Sequence, residues 1–360
     1  MLNSAYKGGF DMKKLTAFIC TLLIIFSAFS ISALGAEPYS SGLKVLKTQF
    51  KEGEGPETEG ISIDYLYFSP AGENDTAKYP LVIWLHGMWD GSYSGRQIKN
   101  NGIGYWTSAE FQSRFYGGGA FIMAPRSPEE KLNYWEDNTV YPLRAAIDSF
   151  IAENKSNIDV SRIYIGGYSM GGKMTLKMIT AYPEMFAAAF PICPAWSPSE
   201  ENIELFKDIP IWLTCGMNDN AVSYQGVART WEKIAAGTNQ KQQCRFSSMT
   251  ATVMPDGSPA PSGHESWQAV AHDMFSYEWG AYPNMTTLNA QGEEVNFTYP
   301  DGMISWLSQF TSDFDGSVAA DSGNITVNDD SNCVKDFFKS LVAGILITFI
   351  KISDKISDLF

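Results

Sequence analysis

Five residues, Gly167-Tyr168-Ser169-Met170-Gly171, constrain this chain more than any other stretch. They follow Arg162-Ile163-Tyr164-Ile165-Gly166, an apolar run of the kind that forms a strand buried on both faces. They lead into Met170-Gly171-Gly172-Lys173-Met174-Thr175-Leu176-Lys177-Met178, which reads as the start of a helix. A G-x-S-x-G between strand and helix makes a turn so sharp that the serine sits on strained backbone with its hydroxyl exposed. Glycines flank it because a side chain there would collide with the neighbouring strand and helix. The helix N-terminus then points backbone N–H groups and partial positive charge at the serine. The competing reading is a glycine-rich turn with an incidental serine, and the motif gains meaning only from partners elsewhere.

The rest of the chain repeats the alternation of strand and helix. Residues 61–68 alternate and read as a half-exposed antiparallel strand. Continuous apolar runs at 80–85, 119–125, 162–166, 187–192 and 209–214 read as buried parallel strands, and 250–254 as the last strand. Helical patterns fall at 140–153, 170–181 and 224–236. The expected fold class is α/β: one domain, residues 37–312, with a mostly parallel central sheet flanked by helices and right-handed crossovers.

The two ends differ from this domain. Met12-Lys13-Lys14, an apolar run from 15 to 29 and Ala33-Leu34-Gly35 compose a secretory signal over residues 1–36, with Met12 as an alternative start and an uncleaved anchor as the other reading. Export implies a secreted or cell-surface location. Composition turns to Ser, Asp, Gly and Asn toward 313–336, which reads as a polar linker. Residues 337–360 place Phe338, Val342, Ile345, Phe349, Ile352, Ile356 and Leu359 on one helical face. Peripheral membrane contact, self-association and packing back on the domain all remain open for it. The net charge of −14 repels a polyanion, which argues against nucleic acid as a partner. Cys20 leaves with the signal. Cys193 and Cys215 end neighbouring expected strands, so a bridge between them and buried free thiols are both open; Cys244 and Cys333 complete the set. No Cys/His spacing resembles a metal site.

A serine hydroxyl is a weak nucleophile at neutral pH; it needs a base, and the base needs an orienting group. The chain has three histidines. His264 lies in Ser262-Gly263-His264-Glu265-Ser266-Trp267 after the expected last strand. His86 directly follows a strand in Leu85-His86-Gly87-Met88, and His272 reads as a solvated residue of a helix. On such a sheet the order is serine, acid, histidine, which selects His264 as base. Asp219, in the loop after the 209–214 strand, is the orienting acid; its alternative is a turn or cap residue. Asp256, the rival, is accounted for by its Pro-Asp-Gly turn. Oxyanion donors are expected at the N–H of Met170 and in the loop after residue 85, at Met88 with Gly87 as fallback. His86 then holds that loop. Trp89 and Trp135 are aromatic surfaces for substrate stacking, or else core. This chemistry requires no metal or organic cofactor.

Together these stretches resemble the α/β-hydrolase superfamily. The resemblance runs through Pro80 to Gly87 and Ile158 to Gly172, then Gly216 to Val222, Gly263-His264 with Trp267, and Trp306-Leu307. It covers residues 45–312 and is strongest toward secreted carbohydrate esterases, feruloyl-esterase-like proteins, polyhydroxybutyrate-depolymerase-type esterases and "predicted peptidase" relatives. It implies the α/β-hydrolase fold and a serine carboxylic-ester hydrolase acting on a small-molecule or polysaccharide-linked ester, feruloyl or acetyl, or on short polyesters. A peptidase or acyltransferase with the same triad, and a catalytically silent surface-binding protein, are the alternatives. The chain departs from the family pattern at Cys215-Gly216, where His-Gly is frequent, and in an aromatic-rich insertion at 268–301. That insertion reads either as a surface loop or as a wall beside the substrate pocket.

Overall fold

Apolar segments without alternation need cover on both faces, and here they lie side by side in the middle of one sheet. The computed structural model describes residues 50–72, 75–88, 90, 103–128, 135–254, 257–277, 280–281, 284–298 and 301–317. The expected signal, the C-terminal helix, most of the linker, Trp89, Asp256, Cys20 and Cys333 lie outside these residues. The strands are β1 (Lys51–Glu54), β2 (Asp64–Phe68), β3 (Tyr79–Leu85), β4 (Phe121–Pro125), β5 (Ile158–Tyr168), β6 (Ala188–Ile192), β7 (Trp212–Gly216), β8 (Arg245–Met249), β9 (Ser276–Tyr277), β10 (Gly280–Ala281) and β11 (Met285–Asn289). Nine of them form one sheet in the order β1-β2-β4-β3-β5-β6-β7-β8-β11. The pairings from β4 through β8 are all parallel, and antiparallel pairings add β2 and β1 at one edge and β11 at the other.

The helices are α1 (Ala109–Gln112), α2 (Val140–Glu153), α3 (Met170–Ala181), α4 (Glu200–Leu205), α5 (Tyr224–Gly237), α6 (Trp267–Ala271) and α7 (Met303–Leu307). α3 packs on β5, β6 and β3. It is buried from Met170 to Thr180, including Lys173 and Lys177. Two buried ammonium groups are tolerable only when paired. Both reach Asp137, at 2.9 and 2.7 Å, and Lys177 also lies over the Trp196 ring.

Three expectations are corrected. The last parallel strand is Arg245–Met249, not 250–254. Hydropathy misses it because Ser247 and Ser248 occupy buried positions. Ser247 is satisfied across three strands: its Oγ accepts from Trp212 Nε1 at 2.8 Å and shares a proton with Thr287 Oγ1 at 2.7 Å. The second correction concerns the insertion, which is a surface loop only over 291–298, where most residues are exposed, whereas residues 268–275 are buried. Its β11 runs antiparallel to β8 and completes the sheet, while Phe275 and Phe297 pack on Trp212 with ring centroids 4.3 and 5.0 Å away. Trp212 opens β7, at the opposite end from Gly216, where the Asp219 loop leaves. A buried aromatic of this size removes about 200 Å2 from water, on the order of 5 kcal/mol at about 25 cal/mol per Å2. The side chains of Tyr277, Trp279, Tyr282 and Tyr299 lie outside the described residues. The third correction is at the expected linker. Ser312 N–H donates to Ser161 O at 2.8 Å, Phe314 is buried, and Arg144 donates to Ser317 O at 3.1 Å, so residues 313–317 pack on the domain.

Among the described residues no helix is long and apolar enough to cross a membrane.

Candidate active site

β5 ends at Tyr168 and α3 begins at Met170, so Ser169 alone makes the turn. Its backbone has φ 58° and ψ −115°, a left-handed strain that only surrounding structure can hold. Ser169 N–H donates to Ile192 O at 2.9 Å, and Ser169 O accepts from Lys173 and Ala195 N–H. The residue is 2% exposed, so the hydroxyl does not stand on open surface as the motif alone suggests; the loop after β6 folds back onto it through Ala195. Gly171 seats the helix: a Cβ there would lie 2.1 Å from Leu85 O and 2.6 Å from His86 O. The first turn of α3 therefore lies directly against the end of β3 and the start of the His86-Gly87-Met88 loop.

His86 is fully buried. Its Nε2 accepts from Ser127 N–H at 3.0 Å, which places the ring proton on Nδ1, and Nδ1–H donates to Gly87 O at 2.6 Å. Burial first, with the Arg126 charge helping, pushes its pKa down to about 4 against the opposing bond to Gly87, so the ring is neutral. It ties the loop after β3 to the chain leaving β4. Trp135 is buried on the other side of this bracket, with its Nε1–H on His86 O at 3.1 Å. That corrects its reading as a substrate-stacking surface: its face and its polar edge are both used by the loop.

The acid and base loops lie on each other. Asp219 Oδ1 accepts the N–H groups of Ala221 and Val222, each at 2.8 Å, which leaves Oδ2 aimed at His264 Nδ1, 2.9 Å away. Asp219 thus serves as a turn residue and as a partner of His264 at once. A Cβ on Gly263 would lie 2.5 Å from Asp219 N, so only glycine allows His264 this approach. Ser262 Oγ completes the lock by accepting from His264 N–H and donating to Asn220 Oδ1. In this resting state His264 is bonded to Asp219 and not to Ser169 Oγ.

Two contacts at the site were invisible in the sequence. Cys193, one residue beyond β6, has φ 34° and sits beside the His264–Asp219 pair; one ligand atom from each of the three lies within 4.8 Å of the others. It is free, as are Cys215 and Cys244, so the bridge left open between Cys193 and Cys215 is not formed. Burial disfavours the charged form of His264, but the facing Cys193 sulfur and Asp219 carboxylate, with hydrogen bonds to both, outweigh it and hold the imidazole pKa well above its ordinary value. The second contact is Tyr168. Its hydroxyl donates to the Asp90 carboxylate and its ring stacks on Trp267 at 5.1 Å, joining the serine turn to the loops that follow β3 and His264.

His272 is not solvated. It is 4% exposed, Nδ1–H donates to Gln268 O at 2.9 Å, and its ring lies 4.4 Å from that of Tyr105. Burial pushes its pKa down to about 4. Its next neighbour Asp273 is also interior, where it accepts Met303 N–H at the start of α7 and pairs with Arg114.

A family model described as phospholipase/carboxylesterase matches residues 136–257, a stretch that holds Ser169 and Asp219 and stops before His264. The chain is 23% identical over 267 residues to a bifunctional acetylxylan esterase/xylanase of Neocallimastix patriciarum, covering 74% of this chain and 36% of that protein. It is 28% identical over 128 residues to dipeptidyl aminopeptidase A of Saccharomyces cerevisiae, covering 34% of this chain and 13% of that one. A solved structure described as a thermostable esterase matches with a TM-score of 0.53 at 26% identity, covering 73% of this chain and 63% of the esterase. The chain therefore spans less than two thirds of the length of each of these proteins.

Proposed function

We propose, from the chain's membership of the α/β-hydrolase superfamily, that it is a secreted serine carboxylic-ester hydrolase whose nucleophile is Ser169. The observation that carries this reading is the 2.9 Å bond from His264 Nδ1 to Asp219 Oδ2, together with a serine held at φ 58° whose N–H bonds to Ile192, the residue before Cys193. In the proposed cycle Ser169 Oγ attacks the ester carbonyl carbon as His264 Nε2 takes its proton. Asp219 keeps the imidazole proton on Nδ1 and stabilises the imidazolium. The N–H groups of Met170 and Met88, with Gly87 as the alternative, receive the oxyanion. The imidazolium then protonates the departing alcohol, and water, activated by the same histidine, releases the acid from Ser169. Apo sites commonly hold such bonds long, and the Ser169–His264 bond forms as substrate enters.

Feruloyl or acetyl esters on polysaccharide are the substrates we favour, supported by the acetylxylan esterase relative; short polyesters belong to the same chemistry. The similarity to a dipeptidyl aminopeptidase favours a second reading, amide hydrolysis by the same three residues. A fluorophosphonate probe tests the common step: one equivalent is expected on Ser169, none on the Ser169→Ala protein, and no labelling of folded wild type would sink both readings. Feruloyl, acetyl and p-nitrophenyl esters against dipeptide anilides then separate ester from amide hydrolysis. We place the exported domain at the cell exterior, with residues 337–360 as a peripheral contact; unchanged liposome partition after truncation at the linker would remove that contact.

The base must be neutral to act, so the raised pKa of His264 has a sign. As pH falls through it, the imidazole protonates and activity is lost. The acid limb of kcat/KM is expected above the ordinary imidazole value of about 6.5. Cys193 is among the groups that raise it. Cys193→Ser is therefore expected to move the limb to lower pH, and a limb that stays put would refute the assignment.

A further inference from the structure

We propose that Cys193, Asp219 and His264 form a site for one borderline divalent cation, Zn2+ foremost, and that its occupancy switches catalysis off. The inhibition rests on the ester-hydrolase reading; the binding does not.

A thiol sulfur, a carboxylate oxygen and an imidazole nitrogen, all within 4.8 Å of one another, make a mixed S/O/N donor set. Thiolate with imidazole selects Zn2+ and its softer congener Cd2+ over Mg2+ or Ca2+. Ligands of a tetrahedral zinc stand about 3.5 Å apart, given metal–ligand distances of about 2.0 to 2.3 Å. The nitrogen–oxygen pair, at 2.9 Å, is already inside that spacing, so the site needs one contraction, toward the sulfur. His264 is the ligand free to move, since its side chain is 21% exposed while that of Asp219 is 1% exposed.

The other two donors are fixed by backbone. Cys193 is held by its N–H on Thr214 O at 2.8 Å with φ 34°, and Asp219 by the N–H groups of Ala221 and Val222. Two fixed donors and one mobile one, on the stretches that follow β6, β7 and β8, converge without any sequence spacing that announces a metal site. Three protein ligands leave a fourth position for water.

On binding, the Cys193 thiol and any imidazolium form of His264 each release a proton to solvent, and thiolate and carboxylate together neutralise the dication. A neutral imidazole has one lone pair on its ring nitrogens. When the metal takes that pair, the other nitrogen carries the proton and accepts none from Ser169. Loss of the base follows whichever nitrogen coordinates.

Cd2+ titration of the whole protein, read by the thiolate-to-metal ultraviolet band and by calorimetry, tests the site. Wild type and Ser169→Ala are expected to bind one Cd2+ with the band, displaceable by Zn2+. Cys193→Ser is expected to lose the band and to weaken binding by well over about tenfold, the loss caused even by residues that merely support metal ligands. His264→Gln, which keeps the sulfur, is expected to weaken binding similarly, and Cys215→Ala to retain both band and affinity. Zn2+ should inhibit ester hydrolysis by wild type, reversibly with EDTA, and spare whatever activity Cys193→Ser retains. A band that survives Cys193→Ser, or no stoichiometric binding to wild type, overturns the site. Stoichiometric binding by a wild type without esterase activity would instead leave the site standing and overturn the ester-hydrolase reading.

Discussion

Replacing His264 with alanine is expected to lower kcat on a p-nitrophenyl ester by about 10,000-fold or more, with KM changed only a few-fold. The imidazole makes no contact that holds the ground-state ester; its proton transfers belong to the transition state, so its loss falls on kcat. Asp219→Asn should cost about as much by a different route. Asp219 Oδ1 takes two backbone N–H groups at 2.8 Å. The asparagine carbonyl would keep those bonds and turn its NH2 toward His264 Nδ1. Nδ1 would then have to accept, leaving the proton on Nε2, where it blocks the base. Fold and Ser169 geometry survive while the tautomer is wrong. Because the three residues act as one unit, the His264→Ala/Asp219→Asn double variant should be hardly slower than the worse single variant. Single-turnover kinetics on the three proteins, with circular dichroism as control, measure this. A His264→Ala protein within tenfold of wild type, or losses that multiply, would mean that His264 is not the base.

What the sequence made legible follows from how local each signal is. α2 and α3 begin and end at the residues where the periodic patterns of 140–153 and 170–181 do. The serine turn is legible because its collisions are with the adjoining strand and helix, so glycine is demanded by short-range geometry. The order of Asp219 and His264 is legible because the sheet reads out its strand ends in chain order. β8 was not, since Ser247 and Ser248 are buried polar residues, and the partners of Ser247, Trp212 and Thr287, lie 35 and 40 residues away. His272 and Trp135 failed for a related reason. A histidine in a helical stretch and a tryptophan in a loop carry no sign of the carbonyl that takes their N–H, and that carbonyl decides whether they point inward. Cys193 had a partial signal. It follows an apolar strand that neighbours the strand leading to Asp219, and that adjacency suggested a bridge to Cys215. The turn of its backbone to φ 34°, which aligns it with His264, is a property of the folded loop alone.

Gly171→Ala is expected to destabilise the protein by about 3 kcal/mol or more, the upper end of overpacking costs, and to lower esterase activity in the fraction that folds. The added methyl would stand 2.1 Å from Leu85 O and 2.6 Å from His86 O. Both are backbone atoms of a central strand and its exit, so no rotamer can yield. Relief requires α3 to lift off β3, and that movement carries Ser169 and Met170 away from the loop at Met88. Stability and the proposed oxyanion donors are thus coupled through one contact. Gly226→Ala is the matched comparison. Gly226 lies in the first turn of α5, where a Cβ would meet only Ser223 Cβ, at 3.8 Å. There the same substitution removes glycine's excess unfolded-state freedom without a clash and should stabilise by about 0.5 kcal/mol. Urea midpoints for both variants decide the matter. Opposite signs are expected; a Gly171→Ala midpoint equal to wild type would show that α3 is not seated on β3 as described, and the placement of the Met88 loop beside Ser169 would fall with it.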